Sequence, residues 1–228
     1  MTVEVHLWSD LLCPWCYLGL RRFQQAREKF EGAIELTLHS FELDPSRSAE
    51  QHPELSAAER LAQKYRRTVE EAQGMIDQMR ALGAREGVSF HPSGGRSLQS
   101  FDAHRLLHLA RETGDERLPR KLKERLFRAH WEDAEDLGDR GTLTRLATEV
   151  GLSEARVTAL LQGDELTLAV REDERLAREL GITGVPFFVV GKLGLSGAQS
   201  PEVLLRALDQ ALFDENDADS GAAGSARR

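Results

Sequence analysis

Cysteine occurs twice in the 228 residues, at Cys13 and Cys16, with only Pro14 and Trp15 between them. Ahead of the pair, Val3-Glu4-Val5-His6-Leu7-Trp8 alternates apolar and polar residues and reads as a strand. Behind it, apolar residues from Tyr17 to Ala26 return at helical spacing. The pair therefore marks the point where a strand hands over to a helix. Two thiols there can bind a metal, close a static disulfide or exchange disulfides. Zinc wants four ligands, and a second Cys-x-x-Cys is absent. A static bridge over so short a loop removes little chain entropy and stabilises little. Exchange suits the geometry best. Pro14 costs no hydrogen bond in a first helical turn, and Cys13 falls at the helix N-terminus, where a thiolate is favoured.

Lowering a thiol pKa from about 8.5 to about 5 takes roughly 4.8 kcal/mol. A helix terminus supplies at most ~2 kcal/mol. The rest must come from direct hydrogen bonds, and the backbone N–H groups of Trp15 and Cys16 are the expected donors to the Cys13 sulfur. Trp15 brings no positive charge, and Asp10 opposes the thiolate if it points that way.

Hydrophobic residues make up 40% and charged residues 30% of the chain, as in ordinary globular proteins. No apolar run approaches membrane-spanning length. The first residues run straight into a strand without a basic n-region or an apolar h-region, and two cysteines are too few for a stapled secreted protein. A cytoplasmic location is expected. The net charge of −8 argues against a nucleic-acid partner.

Strands are expected at 3–9 and 34–41, flanking a helix at 14–30, which makes a βαβ unit. Asp44-Pro45-Ser46 breaks it. From 44 to 165 the pattern is helical. Ser56-Ala57-Ala58-Glu59 and Thr68-Val69-Glu70-Glu71 are capping boxes, and His91-Pro92-Ser93-Gly94-Gly95 is a loop. Ser100 is placed to cap a helix carrying Leu106, Leu107 and Leu109. Further helices are expected at 118–130, 141–150 and 153–161. A long helix at 165–180 precedes a buried strand at 187–190, a two-residue turn at Gly191-Lys192, a strand at 193–196 and a helix from Ser200 to about Phe213.

This order resembles the thioredoxin fold, and the resemblance covers about residues 3–213. With its helical insertion the chain is similar to the DsbA family. Phe41-Glu42-Leu43-Asp44-Pro45, Asp102-Ala103-His104-Arg105-Leu106, Gly184-Val185-Pro186-Phe187-Phe188 and Ser196-Gly197-Ala198-Gln199 resemble its FrnE-like branch. The resemblance implies an α/β chain with a thioredoxin-like domain over 1–43 and 166–213 and a helical insertion domain over 44–165, while the acidic, then small and polar composition of 214–228 reads as a disordered tail. It also implies that Pro186 is the cis-proline facing the redox pair.

The expected activity is thiol–disulfide oxidoreductase or isomerase chemistry. Cys13 attacks, Cys16 resolves the mixed disulfide, and Pro14, Trp15, Val185 and Pro186 contact substrate. Protein or small-molecule thiols and disulfides are the expected partners, with no membrane partner. No cofactor is required, and glutathione is a candidate redox partner. Two other readings stand beside this one. A glutathione-dependent transferase or isomerase of the kappa or hydroxychromene-carboxylate isomerase type would usually carry Ser where Cys13 stands. A non-catalytic chaperone would use the insertion to hold unfolded chains.

Other residues are open to two readings. His104 and His108 lie four apart on one helix, but no carboxylate completes a ligand set, so no metal site is expected. His104 and Arg105 either wall a cleft under the insertion or pack at the domain seam. His130-Trp131 reads as a cap on the insertion core, and Lys64, Arg66 and Arg67 as a solvated face. Trp15, between two reactive thiols, is expected to be exposed. Asp10 is either a proton relay for Cys16 or a turn-capping group.

Overall fold

The computed structural model describes residues 2–45, 55–93, 95 and 97–225. Ser46 of the expected break and Gly94 of the expected loop lie outside them. Strand β1 (Thr2–Ser9) is the second of four in a mixed sheet of order β2-β1-β3-β4. It pairs in parallel with β2 (Ala33–Ser40) and antiparallel with β3 (Phe187–Val190), which pairs antiparallel with β4 (Leu193–Ser196).

The sheet follows from period-two alternation. Val3, Val5 and Leu7 point to one face, and the register sets Val5 beside Leu36 and Val190, and Leu7 beside Leu38 and Phe188. Helix α1 (Pro14–Lys29) and the last helix, α9 (Pro201–Ser225), cover that face with Leu18, Leu20, Phe23, Leu204 and Leu208. The even positions make the opposite face. Trp8 packs there with Ala177 and Ile182, against Phe41, Phe187 and Val189. Glycine at 191 lets the β3–β4 turn take φ +55°.

Among the described residues, seven helices come between β2 and β3: α2 (Ala57–Tyr65), α3 (Val69–Arg85), α4 (Phe101–Glu112), α5 (Leu118–Trp131), α6 (Arg140–Glu149), α7 (Glu154–Gln162) and α8 (Thr167–Glu179). Both capping boxes form: Ser56 and Thr68 each accept from the N–H three residues on, and Glu59 and Glu71 bond back to the cap N–H groups. The apolar stripes of α4–α7 join the core under α1 and the sheet in one cluster, from Val3 and Cys16 through Leu106 and Phe127 to Leu161.

Two expectations are corrected here. Ser100 precedes α4 but makes no cap bond. Its hydroxyl instead donates to Asp10 Oδ1 at 2.8 Å, since an anionic acceptor outcompetes a backbone cap. The segment after Phe213 is not an irregular tail: α9 continues to Ser225. No proline interrupts it, and each added residue gains a backbone bond. Residues 226–228 lie outside the described part.

Candidate active site

Cys13 is the N-cap of α1, with φ −105° and ψ 113°. The helix starts at Pro14, and the Cys16 and Tyr17 N–H groups donate to the Cys13 carbonyl at 3.0 and 3.3 Å. Both thiols are free. Cys13 is 5% exposed and Cys16 is fully buried, so only Cys13 reaches the surface.

The two sulfurs are electrostatically unequal. The Cys13 pKa is lowered, first by a hydrogen bond from the Cys16 thiol and then, against the cost of burial, by the backbone N–H groups of Cys16 and Trp15. Asp10 opposes it through its charge. Burial pushes Cys16 well above the ordinary thiol range, and its bond to Cys13 adds to the rise. The sequence points to the two backbone donors and to Asp10, but not to the second thiol as the main donor.

Val185 and Pro186 face the pair. Their peptide bond is cis, and the Cys13 thiol donates to the Val185 carbonyl at 3.7 Å. Gly19 makes this closeness possible: a Cβ there would stand 3.0 Å from Pro186 Cγ. Trp15 is 46% exposed. With Cys13 and Pro14 it lines a cavity of about 260 Å³. Leu61, Tyr65, Met75 and Met79 from α2 and α3 form the far wall, with Phe90, His130 and Trp131 behind and Arg60, Lys64 and Arg80 among the lining. Lys64, expected on a solvated face, thus borders the site, and His130 and Trp131 line it too. Trp131 Nε1 donates to the Leu11 carbonyl at 3.0 Å, tying α5 to the active-site turn.

Asp10 is buried and anchors that turn. Its carboxylate accepts from Leu12 N at 3.1 Å and from Leu43 N at 2.8 Å as well as from Ser100. Burial opposes its ionisation, but His104 and the Leu43 and Leu12 N–H groups outweigh this and hold its pKa below the ordinary value. His104 Nε2 stands 3.7 Å from Asp10 Oδ1, at ion-pair range but beyond a hydrogen bond.

His104 and Arg105 do not line the cavity. The Arg105 guanidinium donates to the carbonyls of Leu160, Gly163 and Glu165 and to Asp102. It fastens the C-terminal turn of α7 and the loop after it to α4. His108 approaches Asp173 at 3.0 Å, and His39 approaches it at 2.6 Å, stitching α4 and α8 to β2. Among the described residues no group of three or more His, Cys, Asp or Glu converges as a metal site.

Lys123 escapes notice in the sequence although the pattern marks it. It follows Leu122 and sits one turn before Phe127, inside the apolar arc of α5, and it is fully buried.

A cysteine pair at the N-terminus of the first helix, facing a cis-proline loop across a four-stranded mixed sheet, defines a thioredoxin-type thiol protein. Residues 4–209 match the DSBA-like thioredoxin domain family, and the chain belongs to that family. It is a DsbA-like disulfide oxidoreductase. A probable DsbA oxidoreductase from Streptomyces coelicolor superposes with a TM-score of 0.84 at 38% identity, covering 92% of this chain and 90% of that one. YwbO of Bacillus subtilis (strain 168) is 28% identical over 209 residues, 91% of this chain and 96% of its own. The fold is also shared with a 2-hydroxychromene-2-carboxylate isomerase, with a TM-score of 0.70 at 15% identity over 94% and 98% of the two chains. Among the described residues no helix is long and apolar enough to cross a membrane.

Proposed function

We propose that the chain exchanges disulfides through Cys13-Pro14-Trp15-Cys16, that protein disulfides are its main substrates, and that it works in the cytoplasm with glutathione as small-molecule redox partner. The reading rests above all on the inequality of the two thiols. Cys13, at the helix N-terminus on the wall of the cavity and with a lowered pKa, attacks one sulfur of a substrate disulfide, and the other leaves as a thiolate. Cys16, one turn inside the helix, then attacks the Cys13 sulfur. The internal disulfide forms and the second substrate thiolate departs. The reverse sequence oxidises a dithiol.

An extended substrate would lie along Val185. Strand β3 starts two residues later, so the backbone here is outside the ladder. Ionising Cys13 removes the proton it shares with the Val185 carbonyl and frees that acceptor for a substrate N–H. Trp15 and the apolar wall of the cavity would take an adjacent side chain.

Iodoacetamide labelling of the reduced protein across pH, with peptide mapping, tests the assignment. We expect Cys13 to label first, with a midpoint below the free-thiol value of about 8.5, and Cys16 to be protected. Preferential labelling of Cys16, or a Cys13 midpoint near the free value, would sink it.

A further inference from the structure

Strand β2 is an edge of the sheet: among the described residues no strand pairs on its outer side. At its C-terminal end that side is closed, where the Ser40 N–H donates to Asp173 Oδ2 of α8 at 2.8 Å. Over residues 34–38 it is open, and all of them border a hollow of about 420 Å³. Successive strand side chains point to opposite faces. A hollow that touches every residue of the run therefore follows the strand's edge, where its unpaired backbone N–H and C=O groups lie.

Four arginines close round this edge from other elements: Arg27 of α1, Arg111 of α4, Arg117 just before α5 and Arg120 within it. Elsewhere Arg22, Arg125, Arg145, Arg171 and Arg175 each reach a carboxylate within ion-pair distance. Among the described residues none of the four at the hollow does. Asp115 holds the turn before α5, accepting from the Arg117 N–H at 2.9 Å, and Glu124 accepts from the Gln24 amide. Glu35 and Glu116 border the hollow without pairing with any of the four. Burial and the charges of Arg120 and Arg117 lower the Arg27 pKa. Like charges thus crowd together in a chain of net charge −8, and an anion placed among them relieves the repulsion.

The surroundings say what kind of anion fits. The N-terminus of α5 makes a poor phosphate cradle, because the Leu118 N–H already donates to the Asp115 carbonyl at 3.0 Å and Pro119 has none. The open edge offers main-chain hydrogen bonds to an extended chain. A second copy joined edge to edge would set the same arginines against one another. We propose that this edge is a docking site for an extended acidic peptide segment of a partner protein, which adds to β2 as a further strand while its carboxylates engage Arg27, Arg111, Arg117 and Arg120. Residues 34–36 lie beside residues 3–5, at the end of β1 away from the cysteine pair. Docking therefore leaves the Cys13 cavity open and does not depend on the exchange reading.

A fluorescein-labelled peptide alternating Glu and Thr, titrated with the full chain and followed by anisotropy, is the probe. It should bind, weaken as salt rises and slow amide hydrogen exchange within residues 34–38. Arg27→Ala and Arg117→Ala, at exposed positions, should each lower affinity about 10-fold and leave disulfide exchange unchanged. The same peptide N-methylated at every residue keeps the carboxylates but has no backbone N–H, and it should bind at least about 10-fold more weakly. Lys in place of Glu should abolish binding. Equal affinity of wild type and both variants, equal affinity for the N-methylated peptide, or binding without protection of residues 34–38 would each overturn the proposal. Binding of inorganic phosphate but not of the peptide would overturn it in favour of a simple anion site. An edge-to-edge dimer in sedimentation would overturn it in favour of self-association.

Discussion

Cys13 ionises in a place that burial makes hostile to charge, helped first by the Cys16 thiol and held back further by Asp10. The second thiol and two backbone N–H groups favour the anion, while desolvation and the Asp10 carboxylate oppose it. Asp10 is kept because it holds the turn: Leu12 and Leu43 donate N–H groups to it, and Ser100 donates a hydroxyl. Asp10→Asn should therefore do two opposite things. The Cys13 midpoint should fall further, since the nearby negative charge is gone. Stability should drop by about 1–3 kcal/mol, since three donors lose an anionic acceptor. A pH titration of alkylation beside a denaturant melt measures both, and a midpoint that stays or rises would refute the electrostatic account. A turn-capping role for Asp10 was legible from its place just before the helix. Ser100 as its partner was not, because that bond joins residues 90 positions apart.

Helix α5 ties the insertion to the active-site turn, and His130 gives it a pH dependence. Burial lowers the His130 pKa to about 4. Its Nδ1 lies 3.2 Å from the Ser97 hydroxyl, whose oxygen already accepts from the Leu137 N–H, so a neutral imidazole fits. The ordinary value is 6.5. Between 6.5 and 4 the unfolded chain binds the proton and the folded one does not. The contribution is thus fully present above 6.5 and is lost as pH falls toward 4, on the order of 3 kcal/mol in all. Denaturant melts at steps from pH 7 to pH 4 should show this slope, and His130→Asn should flatten it. An unchanged slope in the variant would remove His130 as its source. Element positions were readable along this stretch because caps and apolar spacing are local signals. The employment of Arg105 was not, because the three carbonyls it satisfies lie 55 or more residues away.

At the scale of the molecule, two kinds of periodicity meet at one seam. The period-two strands and the amphipathic helices 14–29 and 201–213 could be read directly from apolar spacing. So could the helical character of the insertion. What spacing could not reveal is that the two regions share one hydrophobic cluster and enclose polar groups between them. Asp10, His104, Lys123 and Asp173 are buried at that seam, and polar residues in an apolar arc look like surface until the partner element is in place. The seam sets Cys16 in the interior while Cys13 faces the cavity, and that division of labour is the central claim. Cys16→Ser tests it most directly. When the variant is mixed with an oxidised protein substrate and run on non-reducing gels, Cys13 should still attack and nothing should resolve the adduct. A covalent complex that collapses with dithiothreitol is the expected result, with none from Cys13→Ser. A complex formed by Cys13→Ser but not by Cys16→Ser would contradict the account, because the buried sulfur would then be the one that attacks.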